Sequence, residues 1–193
     1  MAKPDGVVLT LFCCCMCTLM LSIMHPPVMN TYRLDFGTAK EGQNWVVVND
    51  QVMGGRSIGT VRLEGNSLLF TGTVSLDNNG GFSALRGPYG RFDLSEFHRV
   101  VIRYRSRRMD MAMSLQTSRM WFQPNFKVSI PNSEWEWTVL DIPLNTFAKY
   151  RLGNPMGTFI TRNNLEEVIR IGFITDEKRA GAFELEIDYL EFQ

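Results

Sequence analysis

Cysteine is missing from nearly the whole chain: Cys13, Cys14, Cys15 and Cys17 are its four copies, all close to the N-terminus. Residues beyond that cluster therefore hold no disulfide, no thiolate nucleophile and no cysteine metal site. Histidine is almost as scarce, with His25 and His98 alone, too few for a histidine zinc cage. No excess of either charge exists, since 20 basic residues balance 20 acidic ones, which disfavours a nucleic-acid partner. A dinucleotide fingerprint is absent too: Met53-Gly54-Gly55 lacks G-x-G-x-x-G spacing, and no Gly-Lys-Ser/Thr phosphate loop occurs. A serine nucleophile would need a base, and His98, between Phe97 and Arg99, reads better as a structural or surface histidine. Asp50, Asp77, Asp93 and Asp141 offer carboxylates for glycoside hydrolysis, but nothing in their spacing brings two together. The expectation is a protein with no catalytic residues, no metal and no cofactor.

Long apolar runs are equally rare, with one exception. Val7 to Met24 is apolar over 18 positions, interrupted by Thr10, Thr18 and Ser22. That length sits at the lower limit for a spanning helix and slightly above a signal-peptide core, and no A-x-A-like cleavage site follows. An uncleaved signal-anchor, a cleaved signal and a misassigned start codon are the readings it allows. The first two take the chain to a membrane or into export, through residues 7–24. The expected organisation is residues 1–25 as anchor or signal and 26–193 as one domain, divided at Pro26-Pro27.

Helical periodicity is the next absence. Short alternating runs separated by turn residues predict strands at Tyr32–Phe36, Trp45–Val48, Gly59–Leu63, Ser67–Val74, Phe82–Arg86, Arg99–Arg105, Met111–Thr117, Phe126–Ile130, Glu136–Ile142, Val168–Thr175 and Ala182–Phe192. Strands at this spacing read as an all-β sandwich. Two short helical turns are expected, one on the D-x-x-E of Asp93 to Glu96 and one capped by Asn164. On Arg99 to Arg107 the period-two faces place Val100, Ile102 and Tyr104 inward and Arg99, Arg103, Arg105 and Arg107 outward. Glu184, Glu186 and Asp188 alternate in the same way and are the expected acidic partners; a cationic surface for an anionic ligand is the other reading.

Aromatic residues Trp121, Phe122, Phe126, Trp135 and Trp137 fall close together. Buried, they fill the sandwich, which is the preferred reading; exposed, they stack on sugar rings. Two glycine-centred signatures complete the inventory: Trp45-x3-Asn49-Asp50-x2-Met53-Gly54-Gly55-x-Ser57-x-Gly59, and Phe70-x-Gly72-x-Val74-Ser75-Leu76-x-Asn78-Asn79-Gly80-Gly81-Phe82-x3-Arg86. Paired glycines allow positive φ or close backbone approach. Asn49 and Asp50 can bond their own following backbone, and Arg86 can pair with Asp50 to tie the loops together. Alternatively Asn49, Asp50, Asn79 and Arg86 converge as polar ligands at a rim pocket.

These two signatures closely resemble the complex I intermediate-associated protein 30 family. The later Ile142-Pro143-Leu144-x2-Phe147, Ile171-Gly172-Phe173, Asp176-Glu177-Lys178 and Gly181-x-Phe183-x-Leu185 resemble its following elements. The resemblance covers about Tyr32 to Phe192. It implies a jelly-roll β-sandwich, galactose-binding-domain-like, here with an N-terminal apolar helix in front. It also implies a non-enzymatic, chaperone-like assembly factor for respiratory complex I that binds a protein client, such as a membrane complex subunit. The apolar leader differs from the Arg-rich, acid-poor presequence of a mitochondrial protein. The alternative function is a carbohydrate-binding module of the cell envelope. Asn49, Asp50, Asn79, Arg86 and Trp121 are the candidate ligand- or partner-binding residues.

Overall fold

A computed structural model of the chain describes residues 30–193; the apolar run at 7–24, with its expected helix, lies outside them. No helix among the described residues is long and apolar enough to cross a membrane. Every strand pair is antiparallel, and the strands form two sheets. The six-stranded sheet contains β1 (Tyr32–Asp35), β3 (Ile58–Glu64), β4 (Ser67–Val74), β6 (Arg99–Arg107), β9 (Thr138–Pro143) and β13 (Gly181–Phe192). Its order is β3-β4-β13-β6-β9, and β1 also pairs with β13. The second sheet contains β2 (Val46–Asn49), β5 (Ser83–Arg86), β7 (Met111–Gln116), β8 (Asn125–Ile130), β10 (Ala148–Arg151), β11 (Asn154–Phe159) and β12 (Arg170–Thr175). Its order is β11-β10-β8-β7-β12-β5-β2.

Alternation along each strand fills the space between the sheets. On β6, Val100, Ile102 and Tyr104 are buried, as the period-two reading expects. Met111, Met113 and Leu115 of β7 face them with Ile171 and Phe173 of β12 and Leu85 of β5. Phe70 and Phe183 meet at 4.7 Å between ring centroids, and Trp45 stacks on Phe173 at 6.0 Å. Each such side chain contributes about 1.5–3 kcal/mol by leaving water, set against the entropy of ordering the chain. A bulge between Ile187 and Tyr189 shifts the parity of β13. Phe183, Leu185 and Ile187 point inward before it, Leu190 and Phe192 after it, so one long strand serves the core along its whole length.

Four departures from the expected elements have local causes. The β10–β11 hairpin lies outside the expected strands, because Gly153, Pro155 and Gly157 break any alternating pattern. Its two-residue turn uses Leu152 (φ 49°) and Gly153 (φ 80°), the positive-φ pair that suits strand twist. Asp93 to Glu96 forms a turn rather than a helix, as the Asp93 carboxylate accepts from the Ser95 amide (3.1 Å) and hydroxyl (2.7 Å). The short helix α1 (Arg162–Glu166) is capped by Thr161, with Asn164 as its reciprocal partner three residues on. Finally, the aromatic cluster is not core: only Phe126 is fully buried, Trp121, Phe122 and Trp137 are exposed and Trp135 is half-buried.

Candidate functional site

The two glycine signatures meet around a single carboxylate. Asp50 is wholly buried and accepts from the Ser57 amide (2.9 Å), the Ser57 hydroxyl (2.5 Å), the Gly81 amide (2.7 Å) and the Phe82 amide (3.3 Å). Burial alone would push its pKa up; the Ser57 hydroxyl and the three amides outweigh that and hold it below the ordinary aspartate value. The glycines are the physical consequence. A Cβ on Gly55 would run into the Asp50 carboxyl, and one on Gly80 would lie 2.6 Å from its Oδ2 and 2.9 Å from the Ser75 carbonyl. The Asn78 amide donates to the Gly54 carbonyl (3.1 Å), closing the two loops on each other.

This arrangement is a brace, and only part of the expected constellation joins it. Asn49 accepts from the Ser83 hydroxyl (2.6 Å), linking β2 to β5. Asn79 is an exposed turn residue at φ 59°. The expected pair between Arg86 and Asp50 does not form: Asp50 is saturated by neutral donors, and Arg86, at the end of β5, lies on the outer face of its sheet. The other aspartates serve separate partners. Asp77 approaches Arg56 at 3.8 Å, Asp93 caps its turn, and Asp141 pairs with Arg99 at 3.0 Å.

The arginine stripe of β6 behaves as its neutral reading requires. Register places Arg107 opposite Glu184 and Arg105 opposite Glu186, while Asp188 at the bulge meets Arg103. Trp135 and Trp137 lie over these pairs, with the Arg105 guanidinium 4.4 Å from the Trp135 centroid and 4.9 Å from Trp137. Beside them a groove of about 390 Å³ is lined by Arg103, Trp137, Glu186, Asp188, Asn66 and Thr38. Its charges are already paired within the fold.

The outer face of the seven-stranded sheet is different. Arg86 of β5, Arg170 and Gly172 of β12, Ser114 and Gln116 of β7 and Asn125 of β8 point away from the core, as the cross-strand register requires. The segment after β5 runs back along β12 through Gly87–Ile171 (2.9 Å) and Gly90–Ile169 (3.0 Å) backbone bonds. That path lays Tyr89 against Arg170, whose guanidinium is 3.3 Å from the ring centroid; Arg119 approaches the same ring at 4.6 Å. Loop residues Arg119, Met120 and Trp121 then overhang a shallow cleft of about 70 Å³ whose lining, among the described residues, contains no carboxylate. Burial first, then repulsion from Arg86 and Arg119, lowers the Arg170 pKa against the opposing pull of Tyr89. Arg86 is lowered by burial as well. Arg170 Nε and Asn125 Oδ1 are buried without a hydrogen-bond partner among the described residues. Trp121 stands 75% exposed at the margin.

A family model described as Complex I intermediate-associated protein 30 (CIA30) matches residues 34–187, a span that holds both signatures, the Asp50 brace and the later strands. The chain belongs to the CIA30 family. No curated protein matches it at a significant level. Among solved structures, it is similar to the family 11 carbohydrate-binding module of the cellulosomal cellulase Lic26A-Cel5E of Clostridium thermocellum. The two share 16% identity and a TM-score of 0.60 over 84% of this chain and 94% of that one. The Clostridium thermocellum family 11 module in complex with a β-1,3-1,4-mixed-linked tetrasaccharide is similar at 18% identity and a TM-score of 0.57, with the same coverage. At such identities the likeness is one of fold: a two-sheet sandwich of the carbohydrate-binding-module type.

Of the residues in and beside this cleft of the CIA30 domain, the sequence singles out Arg86 and Trp121 as candidates but not Tyr89, Arg119, Arg170, Gln116 or Asn125. A usable signal was present at Arg119-Met120-Trp121-Phe122, where a cation and three large apolar residues follow Ser118 in a predicted loop. Arg170 carried none, since outward arginines on strands are ordinarily paired and only the fold reveals which are not.

Proposed function

We propose that this CIA30-family protein is a non-enzymatic binding protein that docks a protein client, as an assembly factor of respiratory complex I would. The observation that carries this reading is the apolar surface at one end of the seven-stranded sheet. Met120, Trp121 and Phe122 stand exposed on the β7–β8 loop, and Leu152, Met156 and Phe159 stand exposed on the adjoining β10–β11 hairpin. Arg151 Nε donates to the Phe122 carbonyl (3.3 Å), which holds loop and hairpin side by side. Clustered large apolar groups rimmed by polar ones suit a protein interface, and two flexible methionines suit an irregular one. The apolar run at 7–24 would bring this surface to a membrane, where such a client resides.

The test is affinity capture from detergent-solubilised membranes with wild type and Trp121→Asp. Recovery of complex I subunits by the wild type, lost in the variant, is expected. Recovery of no partner, or equal recovery by both, refutes client docking through this surface.

A carbohydrate-binding role is the second reading. The exposed Trp121 ring beside the amides of Gln116 and Asn125 favours it, as a sugar needs one stacking face and a few amide partners. A glycan array settles that reading, which a blank result across neutral and acidic glycans would sink.

A further inference from the structure

Arginine is distributed unevenly between the two outer faces. On the six-stranded sheet Arg103, Arg105 and Arg107 each meet a carboxylate of β13. On the seven-stranded sheet Arg86 and Arg119 line one cleft and Arg170 stacks on its Tyr89 wall, and among the described residues none of the three has a carboxylate within salt-bridge distance. Lys127, two strands from Arg170 on this face, is answered by Asp176 at 2.9 Å. Two half-buried like charges, Arg86 and Arg170, with the exposed Arg119 beside them, repel one another, and an anion joining them would offset that repulsion.

We propose that Arg86, Arg119 and Arg170 bind an acidic segment of the protein client, its carboxylates on the guanidiniums and a neighbouring apolar side chain against Met120 to Phe122. The inference rests on the client-docking reading and specifies its chemistry. Guanidiniums accept carboxylates in paired, directional bonds, which gives the docking its register. A polysaccharide chain fits this cleft less well. It needs several open ring faces, but the face of Tyr89 is covered by Arg170, and Phe122 stands edge-on to Trp121 with centroids 6.0 Å apart. Free cations next to Met120, Trp121 and Phe122 match a peptide that alternates acids with apolar residues.

The experiment measures fluorescence anisotropy of the full chain in detergent with a fluorescein-labelled Glu/Leu peptide and with its Gln/Leu counterpart. Binding of the Glu/Leu peptide that weakens with salt is expected, with the Gln/Leu peptide weaker by about tenfold or more. Arg119→Gln and Arg170→Gln should each reduce Glu/Leu binding, and Arg103→Gln on the opposite sheet should leave it unchanged. Arg119→Glu, at an exposed position, keeps the test valid should substitutions at the half-buried Arg86 or Arg170 unfold the protein. Equal binding of both peptides, or binding indifferent to the arginines, overturns the proposal. Displacement by polygalacturonate or by inorganic phosphate at lower concentration than unlabelled Glu/Leu peptide also overturns it, reassigning the site to an acidic glycan or a small anion. Trp121-dependent capture of complex I subunits that persists in Arg119→Glu would sink this inference while leaving client docking intact. Failure of capture with arginine-dependent peptide binding retained would sink client docking instead.

Discussion

Replacing Asp50 with asparagine probes the centre of the fold with almost no change of shape. In the native protein Oδ2 accepts from the Ser57 hydroxyl, the Gly81 amide and the Phe82 amide, and Oδ1 accepts from the Ser57 amide. An asparagine keeps one acceptor. Its best orientation places the oxygen at the Oδ2 position and turns its NH2 toward the Ser57 amide, so two donors face each other in a buried site. A buried donor left without a partner costs about 1–3 kcal/mol, and the remaining bonds lose their charge assistance. The expected destabilisation is about 2–4 kcal/mol, a large share of the roughly 5–15 kcal/mol that holds an ordinary domain together. With a urea m-value of about 2 kcal/mol/M, the midpoint should fall by roughly 1–2 M at unchanged m. The assay is urea unfolding followed by tryptophan fluorescence and circular dichroism. A loss under about 0.5 kcal/mol, the scale of an inert surface change, would falsify the idea that the glycine signatures exist to wrap this carboxylate.

Gly80→Ala should cost about 1–3 kcal/mol in the same assay, because its new methyl meets both Asp50 Oδ2 and the Ser75 carbonyl, and a neutral result would mean the loop yields freely. Stability should also depend on pH with a defined sign. Asp50, Asp35, Glu177 and Glu191 all have folded pKa values below their ordinary ones, so their contribution is complete above the ordinary carboxylate range. It declines as pH falls through the lowered folded values, and the urea midpoint should be level from neutral to about pH 5 and drop below about pH 4; a midpoint that rises on acidification contradicts this. Arg105→Ala removes the partner of the buried Glu186 and the cation under Trp135 and Trp137, so a loss of about 1–3 kcal/mol and a shifted tryptophan emission are expected together. Trp121→Ala, by contrast, should leave the urea midpoint within about 0.5 kcal/mol of wild type and act on client capture alone.

Most strands were readable because burial on one face writes itself into sequence as alternation, which is why the inward residues of Arg99–Arg107 match residue for residue. The β10–β11 hairpin was not readable: all of Asn154–Phe159 is exposed, so no buried face imposes a pattern on it. Composition misdirected the reading of Phe122 and Trp137, which are of core-residue type although they stand in water.

Local physics thus accounts for what the amino-acid order determined unaided: family membership through two motifs, an all-β sandwich, and the inward half of an alternating strand such as Arg99–Arg107. Those depend on near neighbours and on the pleat. Which charges end up answered could be decided only in three dimensions, because β13 happens to lie beside β6 and sets acids against its arginines, whereas β5, β12 and the loop after β7 converge with cations alone. Arg86 was legible as a residue of interest, but its surroundings were chosen by tertiary contact, which sets it near Arg170 and Tyr89 rather than Asp50.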